Sequence, residues 1–322
     1  MLKRALTLSL SFALCLLPAA FSAEAKTTFL TLPTATMSGT YYQYFSGVGQ
    51  IFSKKYPDIN ITVTASSGAL ENVKLLEMGE AELVPSSVPV ARFAFDGTED
   101  FAKPVPLRGV LVMFSSHYHF LTLDKNIKSI DDLSGKTVSI GLGSSLMEKV
   151  GRRIFTEKGM LDKVKLQYLS IGESCSALKD GTIDAALLLS TLPLSPVMEL
   201  CTSRDVNFVP VPEDIAQLVG ATIPSRSSVI PAGTYPGQKA DVPSVTFYEG
   251  LFAHKDASAD MVYMFLKVLY ENKEDLIAVF PGAKTTTPEM CMEGMAVPLH
   301  PGAYRYYKEL GVDIPDALKP ID

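Results

Sequence analysis

Thr28-Phe29-Leu30-Thr31-Leu32 is a short apolar and β-branched run. The turn cluster of residues 33–40, with Ser38-Gly39-Thr40 at its end, follows it, and residues 41–55 then carry helical periodicity. This is a strand feeding a helix start. Such a junction leaves several backbone N–H groups unpaired, and with the helix dipole behind them they favour an anionic or strongly polar ligand group. Capping of the helix by Ser38 or Thr40 accounts for the same residues without a ligand.

The rhythm recurs downstream. Ile59-Asn60-Ile61-Thr62-Val63-Thr64 alternates as a strand, Ser66-Ser67-Gly68 turns, and residues 69–78 place Leu70, Val73, Leu75 and Leu76 at helical spacing. Residues 79–84 form a tight turn into a short buried strand, and Ser86-Ser87-Val88-Pro89 opens a helix through Phe95. Three strand ends with polar helix starts, close in sequence, are what a parallel sheet needs to build a site at its carboxyl edge. Residues 107–123 are a long apolar stretch broken at 115–119 by Ser-Ser-His-Tyr-His. His117 and His119 share one strand face, a spacing compatible with a metal. No acidic or sulfur partner stands nearby, so a hydrogen-bonded or pocket-lining pair is the simpler reading.

A second α/β unit starts after about residue 123. A capped turn at 127–136 leads into a strand at 137–140, and Gly141-Leu142-Gly143-Ser144-Ser145 opens a helix at 146–158. A dinucleotide fingerprint fails here because Leu146 stands where a third glycine is needed. Strands near 165–169, 183–189 and 206–209 alternate with helices at 172–180 and 197–201. Pro231-Ala232-Gly233-Thr234-Tyr235-Pro236-Gly237 cannot be helical and crosses the surface or lines a hinge. Residues 242–254 read as a strand, Ser258 caps a strong helix, and shorter helices at 272–280, 287–293 and the C-terminus close the chain.

Residues 1–25 have the pattern of a secretory signal: Lys3 and Arg4, an apolar run at 6–18, and Ala23-Glu24-Ala25. The remainder, about 297 residues of a chain that is 47% hydrophobic, suffices for a large core or two domains. The net charge is −6, one unit more negative without Lys3, Arg4 and Glu24, which argues against nucleic acid and against an anionic membrane surface. Cys175, Cys201 and Cys291 lie beyond the signal. Cys175 and Cys201 flank a strand and permit a bridge, but all three read more simply as small buried apolar residues. Enzyme signatures are poor, with no G-x-S-x-G, H-E-x-x-H, C-x-x-C or Walker loop. Glu71 and Glu82 read as solvated or cap-bonding carboxylates rather than as a general acid or base.

A family likeness rests on Ser38-Gly39-Thr40-Tyr41-Tyr42, Glu71-Asn72-Val73, residues 129–136, residues 178–185, residues 230–237, Asp241-Val242-Pro243 and Pro298-Leu299-His300-Pro301-Gly302-Ala303. Together these resemble the TAXI family of TRAP transporter solute receptors, along essentially the whole chain beyond the signal. The resemblance implies a bilobal type II periplasmic-binding-protein fold, two α/β lobes joined by crossover strands with the ligand cleft between them. It implies lobe I from 26–122 plus 243–322 and lobe II from 123–242. It also implies a periplasmic, monomeric, non-enzymatic receptor without cofactor or metal, closing on a small carboxylate or amino acid of the glutamate or 2-oxoglutarate kind and delivering it to a TRAP permease. A ligand sensor without a permease and a secreted hydrolase are the alternatives.

Four motifs depart from the family. T-G-G-S becomes Ser66-Ser67-Gly68-Ala69 and Q-N-D becomes Ser87-Val88-Pro89. P-P-G-S-G-T becomes Leu142-Gly143-Ser144-Ser145-Leu146-Met147, and Y-P-E becomes Phe114-Ser115-Ser116. The expected contacts are therefore Tyr41, Ser67, Ser87, Ser116, Ser144, Ser145 and Thr191. Backbone N–H groups of Gly39, Gly68 and Gly143 are expected to support an anion, and Arg92 is a candidate bidentate carboxylate clamp.

Overall fold

The computed structural model describes residues 28–35, 37, 40–143 and 145–321. The expected signal segment and the expected contacts Gly39 and Ser144 lie outside the described residues. The chain opens with β1 (Thr28–Pro33), α1 (Thr40–Lys55), β2 (Ile59–Thr64), α2 (Ala69–Glu77), β3 (Leu83–Ser87) and α3 (Val88–Asp96). β1 and β2 pair in parallel. The buried Asn72 on α2 ties them to β3, donating from Nδ2 to the carbonyls of Thr34 at 2.6 Å and Pro85 at 2.9 Å. Two carbonyls at strand ends thereby find a donor that no ladder supplies.

β4 (Leu107–Thr122) is one uninterrupted strand of 16 residues. The sequence suggested a break at 115–119; instead, those polar residues mark the place where the strand changes neighbours. The second unit comprises β5 (Thr137–Ser139), α4 (Leu146–Glu157), β6 (Lys165–Gln167), α5 (Ile171–Lys179), β7 (Ala185–Ser190), α6 (Ser195–Ser203) and β8 (Asn207–Phe208). It continues with α7 (Glu213–Gly220) and β9 (Arg226–Ile230), two elements the sequence pattern did not announce. β10 (Val242–His254) then returns to the first unit, where α8 (Ala259–Glu271), α9 (Lys273–Val279), α10 (Pro288–Gly294) and α11 (Pro301–Glu309) complete the fold.

The larger sheet has the order β3-β10-β4-β7-β5-β6, with β8 on β4 and β9 on β10. β7, β5 and β6 run parallel, while β4 and β10 are antiparallel to each other. From Leu107 to His117, β4 pairs with β10; from His117 to Thr122 it pairs with β7. β10 switches likewise, from β9 at Val242 to Thr246 to β3 at Glu249 to Ala253. Two long strands thus pass from one α/β unit to the other, and both change partners at the same level. This is the bilobal architecture with crossover strands that the resemblance implied.

α1 seals the first lobe because Tyr44, Phe45, Val48 and Phe52 fall on one face and are buried. Tyr44, Phe114 of β4 and Phe280 form a triangle with ring centroids 5.6 to 5.9 Å apart. Such aromatic pairs add roughly 0.5–1.5 kcal/mol each beyond their buried area. Gly47 lets α9 approach, since a Cβ there would lie 3.2 Å from Leu276 and Val279. The start of α1 is consequently fixed over the level at which the strands cross. Cys175, Cys201 and Cys291 are buried free thiols, with no disulfide among the described residues. Burial pushes each thiol up to about 11.

Candidate functional site

Where β4 and β10 change partners, one sheet face gathers polar groups from four elements. Glu249 on β10 lies directly opposite Ser87 on β3 and Phe114 on β4, so these three side chains share a face. Ser116 follows Phe114 by two residues and joins them. Tyr41, in the first turn of α1, packs its ring on Phe114 at 6.3 Å and donates its hydroxyl hydrogen to the Glu249 carboxylate. The Ser116 hydroxyl also bonds that carboxylate. Glu249 is 6% exposed, and burial pushes its carboxyl up to about 7, with the hydrogen bonds from Tyr41 and Ser116 pulling it back. The tyrosine is in turn raised well above its ordinary value by burial and by the facing carboxylate.

Ser87 completes the cluster. It caps α3 with extended backbone, is 3% exposed, and its Oγ has no hydrogen-bond partner among the described residues. A buried hydroxyl left unpaired costs about 1–3 kcal/mol. Glu249 was not among the expected site residues. Its signal was a single carboxylate inside an otherwise apolar strand, Phe247-Tyr248-Glu249-Gly250-Leu251-Phe252. Three of the expected contacts, Tyr41, Ser87 and Ser116, come together here, and the protein's own carboxylate stands among them.

The opposite face of the same crossing carries His117 and His119. The His119 ring is fully buried, with Nδ1 2.9 Å from the His117 carbonyl and Nε2 2.7 Å from the Tyr235 hydroxyl. Since Nδ1 donates, Nε2 accepts from Tyr235, whose oxygen accepts from the Leu194 backbone N–H at 2.9 Å. His117 has the hydroxyls of Ser115 and Ser228 at 3.4 Å from its two nitrogens. Burial lowers both histidines to about 4, so both are neutral at pH 7. Pro231-Ala232-Gly233-Thr234-Tyr235-Pro236-Gly237 thus contributes a buried tyrosine bonded to the crossing strand, and the histidines form a hydrogen-bonded pair. Among the described residues no cluster of His, Cys, Asp and Glu could hold a metal.

Several expected contacts are engaged elsewhere. Ser67 is exposed, and its backbone N–H donates to Glu71 Oε2 at 2.6 Å. The Gly68 N–H donates to Ser66 Oγ at 3.0 Å, so this turn closes on itself rather than holding an anion. Glu71 is the cap-bonding carboxylate that the sequence suggested, held below its usual range by those bonds to Ser67. Ser145 caps α4, accepting from the Glu148 N–H at 3.2 Å and donating to the Leu142 carbonyl at 2.6 Å. Gly143 lies exposed in that loop with open space beside it. Thr191 is half-buried just beyond β7, next to the cis Leu192–Pro193 bond and one residue past the crossing.

Arg92 does not fit the clamp role. Its guanidinium donates to Asp96 Oδ2 at 2.6 Å and to the Ala296 carbonyl at 3.0 Å, and it lies over Phe95 at 5.5 Å. A residue one turn into α3 is carried past the helix start that borders the site, which is why it pairs locally. Lys149 on α4 reaches instead from the second unit to the loop after α3, bonding Glu99 at 3.0 Å and Asp100 at 3.3 Å. A separate recess of about 250 Å³ lies between α5 and α6, lined by Cys175, Lys179 and Glu199 among others.

Fold and site together define a two-lobed α/β protein with a buried polar cluster where its lobes are joined. The sequence model of the NMT1-like family matches residues 32–311, and the chain belongs to that family. A protein of Xanthomonas citri solved bound to ATP is 14% identical, with 88% of this chain and 95% of that chain covered and a TM-score of 0.53. The periplasmic aliphatic sulphonate binding protein of Escherichia coli is 14% identical over 87% of this chain and 78% of its own, with a TM-score of 0.48. A putative L-cystine ABC transporter protein of Listeria monocytogenes is 16% identical over 81% and 98%, with a TM-score of 0.46. At these identities the likeness is one of fold.

Proposed function

We propose that the chain is an exported solute receptor. It binds a small polar molecule bearing a carboxylate between two lobes, 26–122 plus 243–322 and 123–242, and delivers it to a membrane permease of the TRAP type. The observation that carries this reading is the coincidence of hinge and polar cluster. β4 and β10 change partners at the level of Ser116, His117, Thr246 and Glu249, the same level at which Tyr41 and Ser87 converge. A rotation about those strands would open or close the space above the cluster while the two halves keep their own cores. The ligand then shifts a population between open and closed forms in proportion to its preference for the closed one. Residues 1–25 serve in this reading as the export signal, and periplasmic neighbours of the same fold accord with it. No step of bond chemistry is required of the site.

A thermal-shift screen of the protein lacking residues 1–25 tests the proposal. A ligand present at about 100 times its dissociation constant adds about 2.7 kcal/mol and raises the melting temperature by several degrees. A library of small carboxylic and amino acids that produces no shift at any concentration would remove the small-acid reading.

A further inference from the structure

We propose that Glu249 is the specificity-determining residue of the cleft and that it seats a protonated nitrogen of the ligand, with Ser87 as the second acceptor. The ligand is on this account a zwitterion or a cation rather than a dianion. The inference rests on the receptor reading above and narrows it.

Three observations lead to it. A carboxylate offers about four acceptor directions, and the hydroxyls of Tyr41 and Ser116 occupy two. Directly opposite, on the same face, the Ser87 Oγ is buried and has no partner among the described residues. An ammonium group carries three N–H donors and needs acceptors arranged in this way. Among the described residues, the groups acting on Glu249 are Tyr41 and Ser116, with no cationic side chain to neutralise it. Arg92 is committed to Asp96, Lys149 to Glu99 and Asp100, and Arg226 to the Glu293 carbonyl while lying over Tyr248.

A buried carboxylate without a counter-charge is costly, and the usual resolution is either to hold a proton or to meet a cation. The raised titration of Glu249 is the first resolution. A ligand ammonium supplies the second. A ligand presenting only carboxylates here would set two like charges together in a desolvated place, which repels them.

The test compares compounds that differ only at the nitrogen: L-glutamate with 2-oxoglutarate, L-alanine with pyruvate, and L-valine with its 2-oxo acid. Binding to the protein lacking residues 1–25, to Glu249→Gln and to Ser87→Ala is measured by titration calorimetry, with circular dichroism to check that each variant is folded. The expected result is that in at least one pair the amino member binds the parent protein at least roughly tenfold tighter than its 2-oxo partner. Glu249→Gln then removes most of that discrimination, since a charge-assisted bond is worth roughly 10- to 100-fold. Ser87→Ala, which deletes one acceptor and no side-chain hydrogen bond among the described residues, weakens the amino member several-fold and leaves the 2-oxo member unchanged.

Equal or tighter binding of the 2-oxo acids by the parent protein overturns the inference and leaves the receptor reading standing. Discrimination that survives in both variants does the same. Failure of the parent protein to bind any member of any pair counts against the small-acid part of the receptor reading, and the inference falls with it.

Discussion

The two faces of the sheet at the strand crossing are built from similar residues to opposite ends. On the His119 face, Leu194 N–H, Tyr235, His119 and the His117 carbonyl form a chain in which every donor meets an acceptor. On the Glu249 face, the carboxylate has acceptor capacity to spare and Ser87 Oγ has nothing to bond among the described residues. The first arrangement ties β4 to the loops that carry Leu194 and Tyr235. The second is incomplete as it stands, and a polar guest would complete it. What separates a structural polar network from a binding site is therefore the remainder left after the hydrogen bonds are assigned, not the identity of the residues.

The sharpest way to break this comparison is through pH. Glu249 titrates at about 7 in the folded protein against 4.5 for an unperturbed glutamate, so the folded state holds the proton more tightly. Stability is then greatest below that window and falls as pH rises through it, by on the order of 3 kcal/mol in total. The histidines act with the opposite sign. Folded values near 4 against 6.5 contribute stability above pH 6.5 that is lost as pH falls toward 4. The groups facing Glu249 are Tyr41, Ser87 and Ser116, while His117 is the charge that bears on His119. Denaturant unfolding of Glu249→Gln between pH 4 and 8 should lose the falling limb and reveal the histidine limb alone. Identical pH profiles for variant and parent would remove the buried carboxylate from the account.

Tyr235→Phe comes next in size. It leaves His119 Nε2 and the Leu194 N–H unpaired, at about 1–3 kcal/mol for each buried group. Urea unfolding should register that loss, while ligand affinity in the folded variant stays within about twofold. Ser87→Ala should show the converse, with stability without ligand raised by up to about 1–3 kcal/mol, since a buried unpaired hydroxyl is removed, and ligand affinity reduced. Lys149→Ala removes a partly exposed cross-lobe pair worth about 0.2–1 kcal/mol, so apparent affinity should fall no more than a few-fold, and less in high salt. Arg92→Ala should be the weakest of all, leaving affinity within about twofold because its guanidinium serves Asp96 and Ala296. A loss of tenfold or more for Arg92→Ala, read by the same titration, would restore the clamp.

Much of the fold was legible because strand and helix periods alternate cleanly and the caps are explicit. Ser258 does cap α8, accepting from the Met261 N–H at 3.3 Å, and Ser145 caps α4. β9 escaped notice because its run Arg226-Ser227-Ser228-Val229-Ile230 is polar and largely exposed; only pairing with β10 makes it a strand. Tyr41, Ser87 and Ser116 follow from the family resemblance, as polar residues in a helix start, at a strand end and in the polar break of a long apolar stretch. The turn donors at Ser67 and Gly68 could not be judged, because Glu71 and Ser66 fill them through contacts a residue pattern does not rank. Glu249 showed only as a lone carboxylate in an apolar strand, because the register that sets it against Ser87 and within reach of Tyr41 is made by residues more than 150 positions away.

A crystal structure of the protein with the tightest-binding member of the amino and 2-oxo acid pairs puts the central claim to its most direct test. The expected result is a closed form with the ligand nitrogen within hydrogen-bond distance of both the Glu249 carboxylate and Ser87 Oγ. A ligand lodged in the recess between α5 and α6, or one that points a carboxylate at Glu249, would contradict it.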